Sequence, residues 1–544
     1  MNLNIFNTDN LYDAATELFA QLGIKLNSNT ALPLSAKDFI LKKHYKTGFD
    51  ALIDKAFYIG TIDNTVVEAS NLFEINYSYA DAIVQANKNY DGLMLFALEL
   101  KKYPTRTEIS ELTRAFNRIS QQMPVGLLLN YKIEGKNAIS LALSERFLYK
   151  QAWREGDKVG KVIILRDILV NNTHSGHLRI LQDLVKPAGI TTYNELHTRW
   201  LEVLDVNVLN KRFFQELSNW YFWAMGNVQF PDDKEKNEEM RNATNLIRLI
   251  TRIVFIWFIK EKGLVSENLF DAKLMNKWLK DFNKDEQAHN YYNAILQNLF
   301  FGTLNQKMGE ERKFAKDGNI RTNVNEYGVK NIYRYANLFT ISEKEAQDLF
   351  KDVPFLNGGL FDCLDKENED GRVEYVDGFS RNLKKQAIIP DYLFFGTEQE
   401  VDLNSVYDTK GKSYKTKGLI PLLNSYKFTI AENTPLEEDV ALDPELLGKV
   451  FENLLASYNP ETKTTARKQT GSFYTPREIV NYMVDESLIA YLTEANKELL
   501  PLVAEDDAIV VDSAYFENRL RDVLSYSENT NPFNEKETKG LIEA

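Results

Sequence analysis

Two apolar runs with a capped helix between them constrain the fold of the N-terminal third of this chain. The runs are "DGLMLFALELKK" and "PVGLLLNYK", and the segment between them is "PTRTEISELTRAFNRIS". Thr105 and Glu108 have the spacing of a capping box, and Ile109 and Leu112 share one helical face. The pattern predicts strand, helix and strand. Two later runs, "AISLALSERF" and "GKVIILRDI", predict further strands, so residues 1–190 are expected to form an α/β domain.

The rest of the chain needs further domains. With 544 residues it is too long for one hydrophobic core, and about three or four domains are expected. Helical periodicity dominates residues 191–440, which we interpret as a helical connector. Residues 441–544 contain two strong helix-start signals and are assigned to a third domain. The predicted fold class is therefore multidomain α/β with a predominantly helical middle.

The composition is typical of a globular protein of the cytoplasm. The single cysteine, Cys363, excludes an internal disulfide and a metal site built from several cysteines. The first residues contain acids and no apolar core segment, so no signal pattern is visible. The longest apolar run, from Leu246 to Lys260, contains Arg248 and Arg252 and is too short to span a bilayer. We expect no contact with a membrane.

The net charge of −13 excludes a surface that is basic all over, but it does not exclude binding to nucleic acid. Large DNA-processing enzymes concentrate cations in one cleft while the outer surface stays acidic. Basic islands occur within residues 37–46, 381–385, 410–417 and 463–468. An island of this kind is more often a solvated loop than a phosphate site.

The stretch "RKQTGSFYTPREIVNYMVDESL" contains the clearest binding motif of the sequence. Thr475 and Pro476 are suited to begin a helix, while Gly471 permits a tight loop. The free N–H groups of a helix start attract an anion, and the rings of Phe473 and Tyr474 can stack on a planar base. The alternative is a capped surface helix whose aromatic residues pack in a core. The apolar positions of the helix, from Ile479 to Ile489, are expected to be buried on one side.

This stretch resembles the first S-adenosylmethionine-binding motif of adenine-specific DNA methyltransferases. The upstream phrases "DPELLGKVFENLL", "PFLNGGLFDCLD" and "LITRIVFIWFIKEKGLV" are similar to large restriction–modification polypeptides of the Type IIG kind and to methylases of phage-defence systems. The resemblance implies that S-adenosylmethionine is the cofactor of the intact enzyme. Its contacts in this chain would be made by Gly471, Phe473, Tyr474, Thr475 and Pro476.

Two further motifs of those methyltransferases do not occur in this chain. One is a glycine-rich "DPACGSG" strand–loop for the methionine part of the cofactor, and the other is an "NPPY" tetrapeptide that holds the flipped adenine. The nearest match, "NPF" at Asn531–Phe533, lacks the second proline. The chain is therefore expected to be the front portion of a longer enzyme and inactive as a methyltransferase alone.

The N-terminal domain resembles the core of the PD-(D/E)xK nucleases in its order of strand, capped helix and strand. Glu99 and Lys101 of "LELKK" would then be the last two members of the signature. In such a site two acids bind Mg²⁺, and the lysine orients the attacking water. Asp63, Asp81 and Asp91 are the candidates for the missing acid. A decayed or purely structural fold is an equal alternative, and no metal ligand is assigned.

Four other residues have spacings that a binding site could use. His174 and His177 suit a metal in spacing, but hydrogen bonds within a loop are the commoner explanation. Arg248 and Arg252 are one helical turn apart, and an internal ion pair is expected for them.

The resemblances imply methylation of adenine N6 in double-stranded DNA, with a possible DNA-cleaving domain in front. Other phage-defence subunits are potential partners. The alternative function is a DNA-binding or partner-docking module without chemistry.

Overall fold

The computed structural model describes most of the chain, in ranges separated by gaps. These ranges are 1–8, 10–26, 33–68, 92–119, 123–148, 157–309, 312–315, 331–356, 359–369, 372–431, 433, 437–446, 448, 477–497, 502–503 and 510–524. The chain divides into two compact units. The first comprises Met1–Arg146 with Val159–Thr470, and the second comprises Phe147–Lys158 with Gly471–Ala544.

A six-stranded mixed sheet forms the N-terminal part of the first unit. Its strands lie in the order β1-β2-β3-β4-β5-β10, with four short strands elsewhere between β5 and β10 in the chain. The strands of the sheet are β1 Ile53–Asp63, β2 Gly92–Leu100, β3 Val125–Ile133, β4 Lys136–Leu148, β5 Asp157–Leu169 and β10 Glu437–Asp439. The strands predicted from "LMLFALEL", "PVGLLLNYK", "AISLALSERF" and "GKVIILRDI" are confirmed. The sixth strand comes from a distant part of the chain and was not predicted.

Strand direction follows from the connections. β1 and β2 are antiparallel, whereas β2 and β3 are parallel because a helix crosses over between them. β3 and β4 form an antiparallel hairpin, and β10 adds in parallel to β5. The crossover helix spans Arg106–Phe116 and has the predicted capping box of Thr105 and Glu108. Both faces of the sheet are covered by apolar side chains, so the strands are buried along most of their length.

The helices of the first unit cover the sheet and build the middle of the chain. Around the sheet they are α1 Leu11–Gln21, α2 Ala36–Phe39, α3 Gly48–Leu52, α4 Asn64–Glu68, α5 Arg106–Phe116, α6 Ser175–Asp183 and α7 Tyr193–Leu204. Further along they are α8 Val206–Met225, α9 Glu238–Glu261, α10 Ala272–Trp278, α11 Glu343–Asp348, α12 Tyr392–Phe395 and α13 Leu419–Asn424. A buried π-helix spans Tyr292–Leu304. Short hairpins are formed by β6 Lys366–Glu367 with β7 Val373–Glu374, and by β8 Gln399–Val401 with β9 Tyr414–Thr416.

The long helix α9 is the centre of the helical core. It has 24 residues, more than the apolar run within it, and by length and composition alone it could cross a membrane. However, 78% of its most apolar window is buried inside the protein. Arg252 on this helix forms a buried ion pair with Asp377, as predicted, whereas Arg248 forms no ion pair within the described residues and donates to Asn245. Packing within the protein therefore accounts for its apolar surface.

The second unit contains two helices and one small hairpin in its described residues. The helices are α14 Arg477–Ala495 and α15 Ser513–Leu524, and the hairpin joins β11 Leu502–Val503 to β12 Val510–Val511. The predicted start of α14, at Thr475 and Pro476, lies outside the described residues. The apolar side of this helix is not buried as expected: Ile479, Val480, Met483, Val484 and Leu488 are 43–59% exposed, and Ile489 alone of the predicted set is buried. Charge pairing between Arg521 and Glu486 connects the two helices.

Candidate functional site

The end of β2 lies against the start of β1, and a bulge in β1 defines what faces Glu99. In the antiparallel register Ile53 is opposite Leu100 and Lys55 is opposite Glu99. Asp54 is the extra residue between these two pairs. At a bulge two residues of one strand oppose one residue of the other, so Asp54 and Lys55 together stand opposite Glu99. Asp54 and Lys55 are exposed and Glu99 is half-buried, which leaves this end of the sheet open to a ligand.

Glu99 already has a cationic partner. The Nζ of Lys55 lies 2.8 Å from Oε2 of Glu99, and the two side chains are 45% and 38% exposed. An ion pair this exposed contributes little to stability, about 0–1 kcal/mol. The strand end therefore holds a positive charge beside Glu99, and this charge can be displaced.

Lys101 is fixed two residues further on. Its backbone N–H donates to the carbonyl oxygen of Leu52 at 2.9 Å, and its Nζ donates to the carbonyl oxygen of Asp50 at 2.9 Å. The Asp50 carboxylate accepts hydrogen bonds from Tyr45 and Lys37, which lower its pKa. Lys101 thus lies at the same strand end as Glu99, and its ammonium is held by α3 rather than by the Glu99 carboxylate.

The turn after Lys101 is held by polar contacts to two other strands. Tyr103 donates its hydroxyl hydrogen to Asp167 Oδ2 at 2.9 Å, and the buried Tyr131 donates to Asp167 Oδ1 at 2.7 Å. Lys102 pairs with Glu108 of α5 at 2.8 Å, and this hydrogen bond lowers the pKa of Glu108. The ends of β2, β3 and β5 are therefore tied together, which gives Glu99 and Lys101 a rigid support.

Of the three acids expected from the sequence to complete the set, the described residues include only Asp63. Asp63 is opposite Gly92, at the other end of β2, and seven residues of strand separate this position from Glu99 by about 23 Å. Asp63 instead caps α4 by accepting the N–H of Val66 at 3.0 Å. Asp81 and Asp91 lie outside the described residues. Asp54 was not considered from the sequence, because its position opposite Glu99 depends on the bulge. The local signal for it is an acid directly after the apolar pair in "ALIDKAFYIG".

The five residues expected to contact S-adenosylmethionine, Gly471, Phe473, Tyr474, Thr475 and Pro476, also lie outside the described residues. The structure therefore gives no geometry for this segment, and their role stays a prediction. The described helix α14 begins directly after them, at Arg477.

A second group of acids lies deep in the helical core. In the described part of the chain, Cys363, Asp365 and Asp377 are the one cluster of three side chains close enough to share a metal ion. Asp377 accepts hydrogen bonds from Arg252 Nη1 at 2.8 Å and from the N–H of Leu364 at 2.7 Å. Asp365 accepts from four backbone N–H groups, those of Val376, Asp377, Gly378 and Phe379. Because the carboxylate oxygens already have protein donors, this cluster is a structural clamp.

Of the two histidines singled out by their spacing, His177 is buried and His174 is half-buried. His174 begins α6, where its Nδ1 accepts the N–H of Gly176 at 3.1 Å, and burial lowers its pKa to about 4. His177 lies inside α6 rather than in the expected loop, and burial lowers its pKa to about 3. Lys427 lies close enough to lower both pKa values further. A neighbouring cation disfavours a metal ion here.

Exposed cations without acidic partners occur beside the sheet. Within the described residues, Lys42, Lys43 and Arg118 form no ion pair, whereas the adjacent Lys37 and Lys46 are paired with Asp50 and Glu111. Burial and the charges of Arg118 and Lys43 lower the pKa of His44, so these groups lie near one another. We call Lys42, Lys43, His44 and Arg118 the basic patch. Like charges held together in an acidic protein favour a polyanionic partner.

Comparison with known proteins gives one informative relative. It is the "Putative type II restriction enzyme and methyltransferase RM.MjaORFECS2P" of Methanocaldococcus jannaschii. The two sequences are 27% identical over 254 residues, which make up 47% of this chain and 15% of the relative. The match thus spans a small part of the length of that protein. No family model matches this chain, and no solved structure matches it significantly.

Proposed function

We propose that the N-terminal part of this chain is a metal-dependent DNA-cleaving module of a restriction–modification protein. The observation that carries the proposal is the bulge at Asp54, which places an acid on β1 opposite Glu99. Glu99 itself stands two residues before Lys101 on the chain. The β-strand, capped helix and parallel β-strand around these residues support it. The relative, whose name combines restriction with methylation, supports the same class of function.

The residues at the strand end fit Mg²⁺. Two carboxylates supply the oxygen ligands that this cation prefers, and the ammonium of Lys55 shows that Glu99 holds a positive charge there. Mg²⁺ would supply Lewis-acid stabilisation of the phosphate and a more acidic water. Asp54 and Glu99 would hold the cation. Lys101, released from the Asp50 carbonyl, would orient the attacking water and offset the charge that develops on the phosphate.

The basic patch gives the proposed site a surface for the DNA backbone. Lys101 precedes α5 and Arg118 follows it, so the 11-residue helix separates the two by about 16 Å. Phosphates recur about every 3.4 Å along each DNA strand, so about five base pairs span this distance and one duplex can reach both the patch and the strand end. Phosphate contacts of this kind position the DNA without reading its sequence.

We also propose that this chain takes part in the methylation of adenine N6 with S-adenosylmethionine, acting in the cytoplasm, alone or with other phage-defence subunits. Residues 471–476 would then form one wall of the cofactor pocket. The sequence resemblance of this segment and the name of the relative support the assignment. Calorimetry tests it: the present chain should bind the cofactor weakly or not at all, because a half-formed pocket leaves it in water. Micromolar binding by this chain would contradict that reading.

The nuclease proposal is tested by incubating the chain with plasmid and phage DNA, with and without Mg²⁺ or Mn²⁺. We expect metal-dependent cleavage that Glu99→Gln reduces at least about 100-fold, the scale on which groups that stabilise transition-state charge act. Lys102→Gln is the matched control, because Lys102 pairs with Glu108 and not with Glu99. DNA binding that needs no metal, with no cleavage by any form of the protein, would favour the alternative of a non-catalytic DNA-binding or docking module.

A further inference from the structure

The lysine that contacts Glu99 is not the lysine of the Glu99-Leu100-Lys101 sequence. Lys101 directs its ammonium to the carbonyl oxygen of Asp50. Lys55, on the neighbouring strand, directs its ammonium to the Glu99 carboxylate at 2.8 Å. Lys55 is also the residue directly after Asp54, within the bulge. A cation therefore occupies the space between strands where the proposed acid pair would hold Mg²⁺.

We propose that Lys55 is a resident counter-ion that competes with the divalent cation for Glu99. The inference rests on the proposed function of this strand end. The ammonium of Lys55 balances the charge of the Glu99 carboxylate while no metal is bound. The metal ion must displace Lys55 from Glu99 before it can use that carboxylate. Lys55 thus sets the concentration of metal at which the site fills.

Two properties of the pair make displacement feasible. Lys55 and Glu99 are both partly exposed, so water can solvate the ammonium once it leaves. The lysine stem is long and flexible, and its head can move while the strand stays in place. A buried pair, such as Arg252 with Asp377, could not separate in this way without leaving a charge unpaired.

The test is Mn²⁺ binding to the full chain, measured by electron paramagnetic resonance or calorimetry without DNA. Lys55→Gln should tighten Mn²⁺ binding about two- to five-fold, which is the effect of removing a competing exposed ion pair. Lys55→Arg retains the charge and should keep the wild-type affinity within about two-fold. Lys102→Gln, which removes a pair of equal length beside the site, should have no effect.

The outcomes separate this inference from the function on which it rests. If Mn²⁺ binding is lost in Glu99→Gln but unchanged or weaker in Lys55→Gln, the counter-ion role is wrong and the metal site stands. If the wild-type chain binds no Mn²⁺ that depends on Glu99, both the metal site and the counter-ion role are wrong. Thermal unfolding of each variant checks that the exposed substitutions leave the fold intact.

Discussion

At the scale of single residues, an exposed ion pair and a buried ion pair contribute differently to stability. Lys55 and Glu99 are exposed, so their contact is weak and exchangeable. Arg252 and Asp377 have side chains only 4% and 3% exposed. Arg252 also donates to the carbonyl oxygens of Leu360 and Asp362. This arginine therefore joins α9 to the segment after the π-helix through three different partners.

Removal of Arg252 should strongly destabilise the first unit. Arg252→Met leaves the buried Asp377 carboxylate without its cation, a loss that commonly costs about 3–5 kcal/mol. Arg248→Met is the matched control on the same helix: Arg248 donates one hydrogen bond to Asn245, and its loss should cost about 1 kcal/mol. Urea unfolding measures both. Equal effects of the two substitutions would mean that the buried pair adds nothing beyond side-chain packing.

At the scale of secondary-structure elements, the sequence identified what is local. The capping box of Thr105 and Glu108 fixed the start of α5, and continuous apolar runs marked the buried strands β2, β3 and β5. Both signals depend on residues within one turn or one strand, so they can be read without the fold.

What the sequence did not predict depends on distant contacts. The bulge at Asp54 arises from the register between β1 and β2, and strand β10 pairs with β5 across more than 260 residues of chain. No local pattern encodes either pairing. For α14 the sequence predicted the helix, which is observed, but it also predicted the burial of five apolar positions, which are exposed.

At the scale of the whole molecule, charge separation would allow this acidic protein to approach DNA, as proposed. The net charge is −13, yet the basic patch holds cations that no described acid neutralises. Binding that depends on a few phosphate contacts weakens steeply with salt, because each contact releases about 0.9 counterion from the duplex.

Neutralising the patch should therefore change the salt dependence of DNA binding. In a Lys42→Gln, Lys43→Gln, Arg118→Gln variant, the slope of log affinity against log salt should become shallower by about 2–3. Lys46→Gln should leave the slope unchanged, because Lys46 is already paired with Glu111 at 2.7 Å. Fluorescence anisotropy between roughly 50 and 200 mM salt measures the slopes of both variants. An unchanged slope in the triple variant would show that DNA binds elsewhere.

The position of the proposed metal site is tested most directly by comparing Asp54→Asn with Asp63→Asn in metal-dependent DNA cleavage. Both substitutions remove one carboxylate from the same strand, but Asp54 lies in the bulge beside Glu99 and Asp63 lies at the far end of β1. The account predicts that Asp54→Asn lowers the cleavage rate at least about 100-fold, while Asp63→Asn retains nearly the wild-type rate. Full cleavage by Asp54→Asn, or its loss in Asp63→Asn with the fold intact, would contradict the placement of the site at this end of the sheet.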